Sequence, residues 1–144
     1  MKMARSYHGC FSVKEQGNIS KVYVFGGSDG TVDGSSDGGI DGTLTSSTEV
    51  LNVSNLTWSD GPSLPNAMAG NTGLESVDEQ YLGFSIGGYR QLGPITWSNY
   101  MHQHSIFGLQ NSGGNQRWVY VGRMKSSRSF PTAVNAPSSL TFNC

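Results

Sequence analysis

Charged residues are scarce. Asp, Glu, Lys and Arg make up 13% of the 144 residues and nearly cancel, to a formal net charge of −1, about half the ~25% share usual in soluble domains. A chain so poor in cations offers no electrostatic footprint for nucleic acid. Cysteine is limited to Cys10 and Cys144, too few for a disulfide-dense scaffold. With no CxxC and only three His, zinc-site spacing is missing as well. The two thiols are either idle or joined in one bridge between the chain ends, and both alternatives stay open. No apolar run approaches the ~18 residues that span a bilayer. Met1–Ser6 leads straight into a polar stretch, with no secretory h-region. Nowhere do apolar residues recur at i, i+3, i+4, i+7 over a helical length. A membrane span, a coiled coil and a basic nucleic-acid binder are therefore not expected, and the length holds one domain at most.

What is present is glycine, 20 residues of it, punctuating short β-branched and aromatic runs. Tyr7–Val13, Lys21–Phe25, Thr48–Val53 and Leu56–Trp58 predict strands, each bounded by Gly, Pro, Asn or Ser. The pattern returns. Gly26-Gly27 recurs as Gly87-Gly88, 61 residues on, and Trp58 as Trp118, 60 residues on. Gln80–Ile86 leads into the second Gly-Gly as Lys21–Phe25 leads into the first. His104–Leu109 stands where Thr48–Val53 stood, and Arg128-Ser129-Phe130 echoes Arg5-Ser6-Tyr7. Several residue types returning in one order at one period are the signature of a repeat architecture. Each period holds four short strands, the content of one propeller blade.

In these residues the chain resembles the kelch-repeat family, whose hallmark is an apolar run ending in a double glycine, then an acidic residue with an aromatic, then a Trp. The matching positions are Gly26, Gly27, Glu49 and Trp58, then Gly87, Gly88, Phe107 and Trp118, with Arg5 and Arg128 opening their units. The second unit departs from the pattern: it lacks the Glu and carries Asn111-Ser112-Gly113-Gly114 before its Trp, while Leu51 replaces the usual Tyr in the first. The resemblance implies an all-β fold of kelch-type β-propeller blades: two four-stranded antiparallel sheets plus the start of a third. Blades are expected at residues 5–60 and 66–122 and a partial blade at 124–144. Closed propellers take typically 4–8 blades, so the chain is expected to be a fragment of a longer propeller or to self-associate through exposed blade faces. The hallmark roles are structural. A double glycine permits φ > 0 and close approach of a neighbouring chain, a Trp packs between sheets, and Arg5 and Glu49 are suited to a charge-assisted pair.

Three features invite a chemical reading. Asp29, Asp33, Asp37 and Asp41 recur with a following Gly at a period of four. The spacing matches neither an EF-hand nor a nonapeptide Ca²⁺ repeat, and a solvated loop is expected. His102 and His104 lie two apart, as two ligands on one strand face would, and His8 is remote in sequence; no third ligand lies at a matching spacing. The sequons at Asn18, Asn52 and Asn55 carry glycans only if the chain enters the secretory pathway. Some copper oxidases use a kelch-like propeller, but their Tyr, Cys and His constellation has no counterpart in these residues, and no G-x-S-x-G elbow is present.

Catalytic, cofactor and metal residues are thus expected to be none, and no cofactor is expected. The resemblance implies a non-enzymatic protein–protein interaction module with an unidentified protein partner. The alternatives are a ubiquitin-ligase substrate adaptor or an actin-binding kelch-like protein, although the BTB domain usual in such adaptors is missing from these residues, and a propeller enzyme. Both a secreted and a cytoplasmic setting stay open.

Overall fold

The computed structural model describes residues 1–29, 42–77, 80–92 and 100–135. Among them there is no helix, so none is long and apolar enough to cross a membrane.

The first sheet is an antiparallel meander of β1 (Gly9–Glu15), β2 (Asn18–Phe25), β3 (Thr48–Asn52) and β4 (Thr57–Gly61), in that spatial order. Gln16 and Gly17, with φ of 51° and 82°, make the two-residue turn between β1 and β2. Left-handed φ at both positions matches the twist of the paired strands. The expected strand Tyr7–Val13 starts too early. Tyr7 has φ of 54°, which no strand residue adopts, so Ser6 meets Ser28 only as an isolated bridge and the continuous ladder begins at Gly9 opposite Phe25.

The second sheet runs β5 (Thr72–Glu75), β6 (Tyr81–Ile86), β9 (Ser105–Ser112), β10 (Asn115–Arg123). Between β6 and β9 a two-stranded hairpin is inserted, β7 (Tyr89–Gln91) with β8 (Tyr100–His102). Asn111-Ser112-Gly113-Gly114 lengthens the last hairpin of this sheet relative to β3 and β4. Asn111 and Ser112 extend β9, and Gly113-Gly114, with φ of 59° and 87°, turns directly into β10. Both sheets are thus four-stranded blades with the same strand sequence.

The blades pack face to face over one apolar cluster. Phe11, Tyr23, Phe25 and Val50 come from the first, Phe107, Leu109 and Trp118 from the second, and Leu64 and Met68 from the segment joining them. Strand pairing explains the selection. Phe11, Tyr23 and Val50 sit directly opposite one another across β1, β2 and β3, so one face of the first sheet carries all three. Two glycines of the second blade admit this face. A Cβ on Gly83 would lie 2.6 Å from the Phe11 ring, and one on Gly73 would overlap the Cys10 carbonyl. Trp118 is the bridging Trp. Its ring meets Phe25 at 4.9 Å and Phe11 at 6.2 Å, and its Nε1 donates to Pro62 O and Thr48 Oγ1. Gln116 adds a second polar bridge, donating to the Tyr23 hydroxyl at 2.9 Å.

Candidate interaction surface

Each double glycine is the node where a blade ties itself together and grips the next segment of chain. Gly26 N–H donates to Ser47 O within the first blade, and Gly27 N–H donates to Met68 O in the segment entering the second. Gly87 and Gly88 repeat the pair on Ser105 O and Arg128 O. The bonds that brace the node recur too: Thr45 N–H to Gly27 O and Gln103 N–H to Gly88 O, then Leu64 N–H to Ser46 O and Met124 N–H to His104 O. All four glycines have φ between 65° and 98°, and a Cβ on Gly26 or Gly87 would stand 2.6 Å from a carbonyl oxygen. No side chain fits there. Among the described residues the segment 124–135 forms no strand, yet it is seated on the second blade by the bonds that seat 64–71 on the first. Residues 136–144 lie outside the described residues.

Arg5 and Glu49 form a buried ion pair. Arg5 Nη2 reaches Glu49 Oε1 at 2.7 Å, and Nη1 donates to Gly26 O at 2.9 Å. Glu49 also accepts the backbone N–H groups of Lys2 and Met3. Burial pushes the Glu49 carboxyl up, but those N–H donors and the Arg5 guanidinium outweigh it and hold it below its ordinary value. The second blade has Met68 and Phe107 at the two corresponding places, and both are buried. Arg128, in the Arg5 place of the third unit, is exposed. Trp58 is half-buried, on the face of the first blade opposite to the one that meets the second.

The long connections all leave the Gly-Gly end of the blades: β2 to β3, β6 to β9, β4 to β5, and the exit from β10. The tight turns Gln16-Gly17 and Gly113-Gly114 close the other end. At the Gly-Gly end Tyr7, Phe130 and Met101 are exposed, as are His102, His104, Arg123 and Lys125. His102 closes β8 while His104 lies between β8 and β9, so the two do not share a strand as the spacing suggested. Among the described residues no three His, Cys, Asp or Glu side chains gather into a group that could hold a metal ion. Asp29 accepts Thr43 N–H at 2.9 Å; Asp33, Asp37 and Asp41 lie outside the described residues. Cys10 is an exposed free thiol on β1, and Cys144 lies outside the described residues. Asn18, Asn52 and Asn55 all sit at the tight-turn end of the first blade. Asn52 Oδ1 and Asn55 Oδ1 hold the N–H and hydroxyl groups of Ser54 and Thr57.

A family model described as the kelch motif matches residues 20–65. The match runs from β2 to the segment that enters the second blade. No curated protein matches the chain. The kelch motif thus covers the first sheet from β2 onward and the segment after it, and the second sheet repeats the strand order and the double-glycine bonding of the first, an arrangement consistent with two kelch-type blades.

Proposed function

We propose that the chain is a non-enzymatic protein–protein interaction module that meets its partner with the Gly-Gly end of its blades. One observation carries this reading. The residues that recur between the blades are consumed in holding them together, whereas the side chains exposed at the Gly-Gly end differ from one blade to the next. A surface that varies over a repeated frame is what a binding platform requires. Fold alone does not assign a role, and the reading rests on this division of labour between positions.

Site-specific photo-crosslinking tests it. A crosslinker at Met101, exposed on β8, should trap a defined partner protein, while one at Leu56, exposed at the opposite end, should not. Equal trapping from both ends, or none from Met101, would refute the assignment of the surface.

A further inference from the structure

The few charges of this chain are sorted along it. Residues 1–79 hold four Lys or Arg against ten Asp or Glu, whereas residues 80–144 hold five Lys or Arg and no Asp or Glu at all. In the second half, three of the cationic or titratable basic side chains converge. His104, Arg123 and Lys125, with Met124, line an open cleft of about 430 Å³ at the Gly-Gly end of the second blade. None of the three takes part in an ion pair among the described residues. Arg128, whose N–H donates to Gln103 O next to His104, borders the same rim.

The internal repeat supplies a control for what the fold itself needs. Matching the bond from Leu64 to Ser46 with the bond from Met124 to His104 places Ser46 opposite His104, Ser63 opposite Arg123 and Pro65 opposite Lys125. The first blade folds with no charge at any of these places, so the blade does not require them. Ser63 and Pro65 are exposed even though the second blade packs directly alongside. Arg123 and Lys125 therefore stand at rim positions that face water even when a further blade follows.

We infer that this rim is a docking site for a short, extended, carboxylate-rich segment of a partner protein; the inference rests on the interaction-module reading and names its partner's chemistry. Clustered cations with no ion-pair partner among the described residues gain most from an anionic ligand, through charge-assisted hydrogen bonds and electrostatic steering. The rest of the chain limits the ligand's length. A polyanion tracking across the surface would meet the exposed carboxylates of Glu15 and Asp60 in the first half, while a short acidic segment matches the two or three cations of the rim. Nucleic acid fits this distribution poorly.

The test uses fluorescence anisotropy of a fluorescein-labelled oligoglutamate peptide with the 144-residue chain at low ionic strength. Binding should occur, should weaken as salt is raised, and should fall on the order of fivefold in the triple variant His104→Ser/Arg123→Ser/Lys125→Ser, from about two exposed charge contacts. Two of those serines are what the first blade carries at the same places, so the melting temperature should hold. Undiminished binding by the triple variant, no binding by the wild type, or tighter binding of a single-stranded DNA oligonucleotide would overturn the assignment. In each of these cases trapping of a partner from Met101 would still leave the module reading standing, so the two fail separately.

Discussion

The rings of Tyr7 and Phe130 meet edge to face with centroids 5.6 Å apart, although both four-stranded sheets separate them in the chain. Both residues have left-handed backbone, with φ of 54° and 52°, and so does Gly70 between them at 63°. Gly70 N–H donates to Tyr7 O and Phe130 N–H donates to Gly70 O, so one strained position is stepped through three successive units. An aromatic residue at φ > 0 is uncommon and costs about 1–3 kcal/mol. Its recurrence is imposed by the bonds between units and not by the residue itself.

Tyr89 is buried beneath this pair, 5.9 Å from the Phe130 ring and 5.4 Å from Tyr100. Burial, with Tyr100 and Tyr7 nearby, pushes its phenol up to about 12. The folded state thus holds the Tyr89 proton more tightly than the unfolded chain, whose phenol titrates near 10. Stability from this group is complete below pH ~10 and is lost as pH rises toward 12. Ultraviolet titration should show a late-ionising phenol in the native protein that is missing in Tyr89→Phe. The variant should also lose less stability over that alkaline window.

The double glycines are open to a graded comparison. Gly113→Ala, at φ of 59° with nothing within 4 Å of the added Cβ, should cost about 1 kcal/mol for the backbone conformation alone. Gly26→Ala and Gly87→Ala add a Cβ 2.6 Å from a carbonyl oxygen and should cost at least ~2–3 kcal/mol. Urea midpoints of the three variants measure the order. Equal losses at Gly113 and Gly26 would mean that the close approach to Met68 O is not what requires glycine.

These positions also show how far the sequence alone carries. Gly26-Gly27 and Gly87-Gly88 are legible because only glycine tolerates that backbone beside that carbonyl, and Trp118 because a large ring is needed between sheets. The Arg5–Glu49 pair is legible because an acid and a base stand at hallmark places. β5 escapes notice: Thr72–Glu75 is four residues of mixed type, and only pairing with β6 makes it a strand. The hairpin β7–β8 escapes for the same reason, its strands being three residues each. Tyr7 and Phe130 give no local sign of left-handed backbone, because neither residue type favours it. The cationic rim did leave a trace, the absence of any acid after Glu79, which a net charge of −1 conceals.

The buried ion pair has its own internal comparison. Arg5→Met leaves Glu49 buried without its guanidinium and should cost about 3 kcal/mol. The double variant Arg5→Met/Glu49→Phe installs what the second blade carries as Met68 and Phe107, and should recover most of that loss, since apolar replacement of a buried pair is often neutral. The pH dependence stems from the lowered Glu49 pKa. The contribution of a depressed carboxyl is present above its unfolded value of about 4.5 and disappears as pH falls through the folded one. Melting temperatures between pH 7 and pH 2 should therefore fall less steeply in the double variant than in the wild type. Equal slopes would show that Glu49 adds nothing to acid sensitivity.

Trp118 and Trp58 hold matching places in the two blades but opposite circumstances. Trp118 lies between the sheets, against Phe25 and Phe11, with its Nε1 hydrogen-bonded to Thr48 and Pro62 of the other blade. Trp58 is half-buried on a face that meets no second sheet among the described residues. Trp118→Ala removes both the apolar bridge and the partner of two acceptors, at a cost of ~3–5 kcal/mol. Native domains hold only ~5–15 kcal/mol in total, so most of the stability goes with it, and the two blades should come apart. Trp58→Ala should cost on the order of 1 kcal/mol. Circular dichroism melts of the two variants decide the matter. A Trp58 variant as damaged as the Trp118 variant would mean that the face carrying Trp58 is covered in solution, because a ring left half in water cannot account for a loss that large.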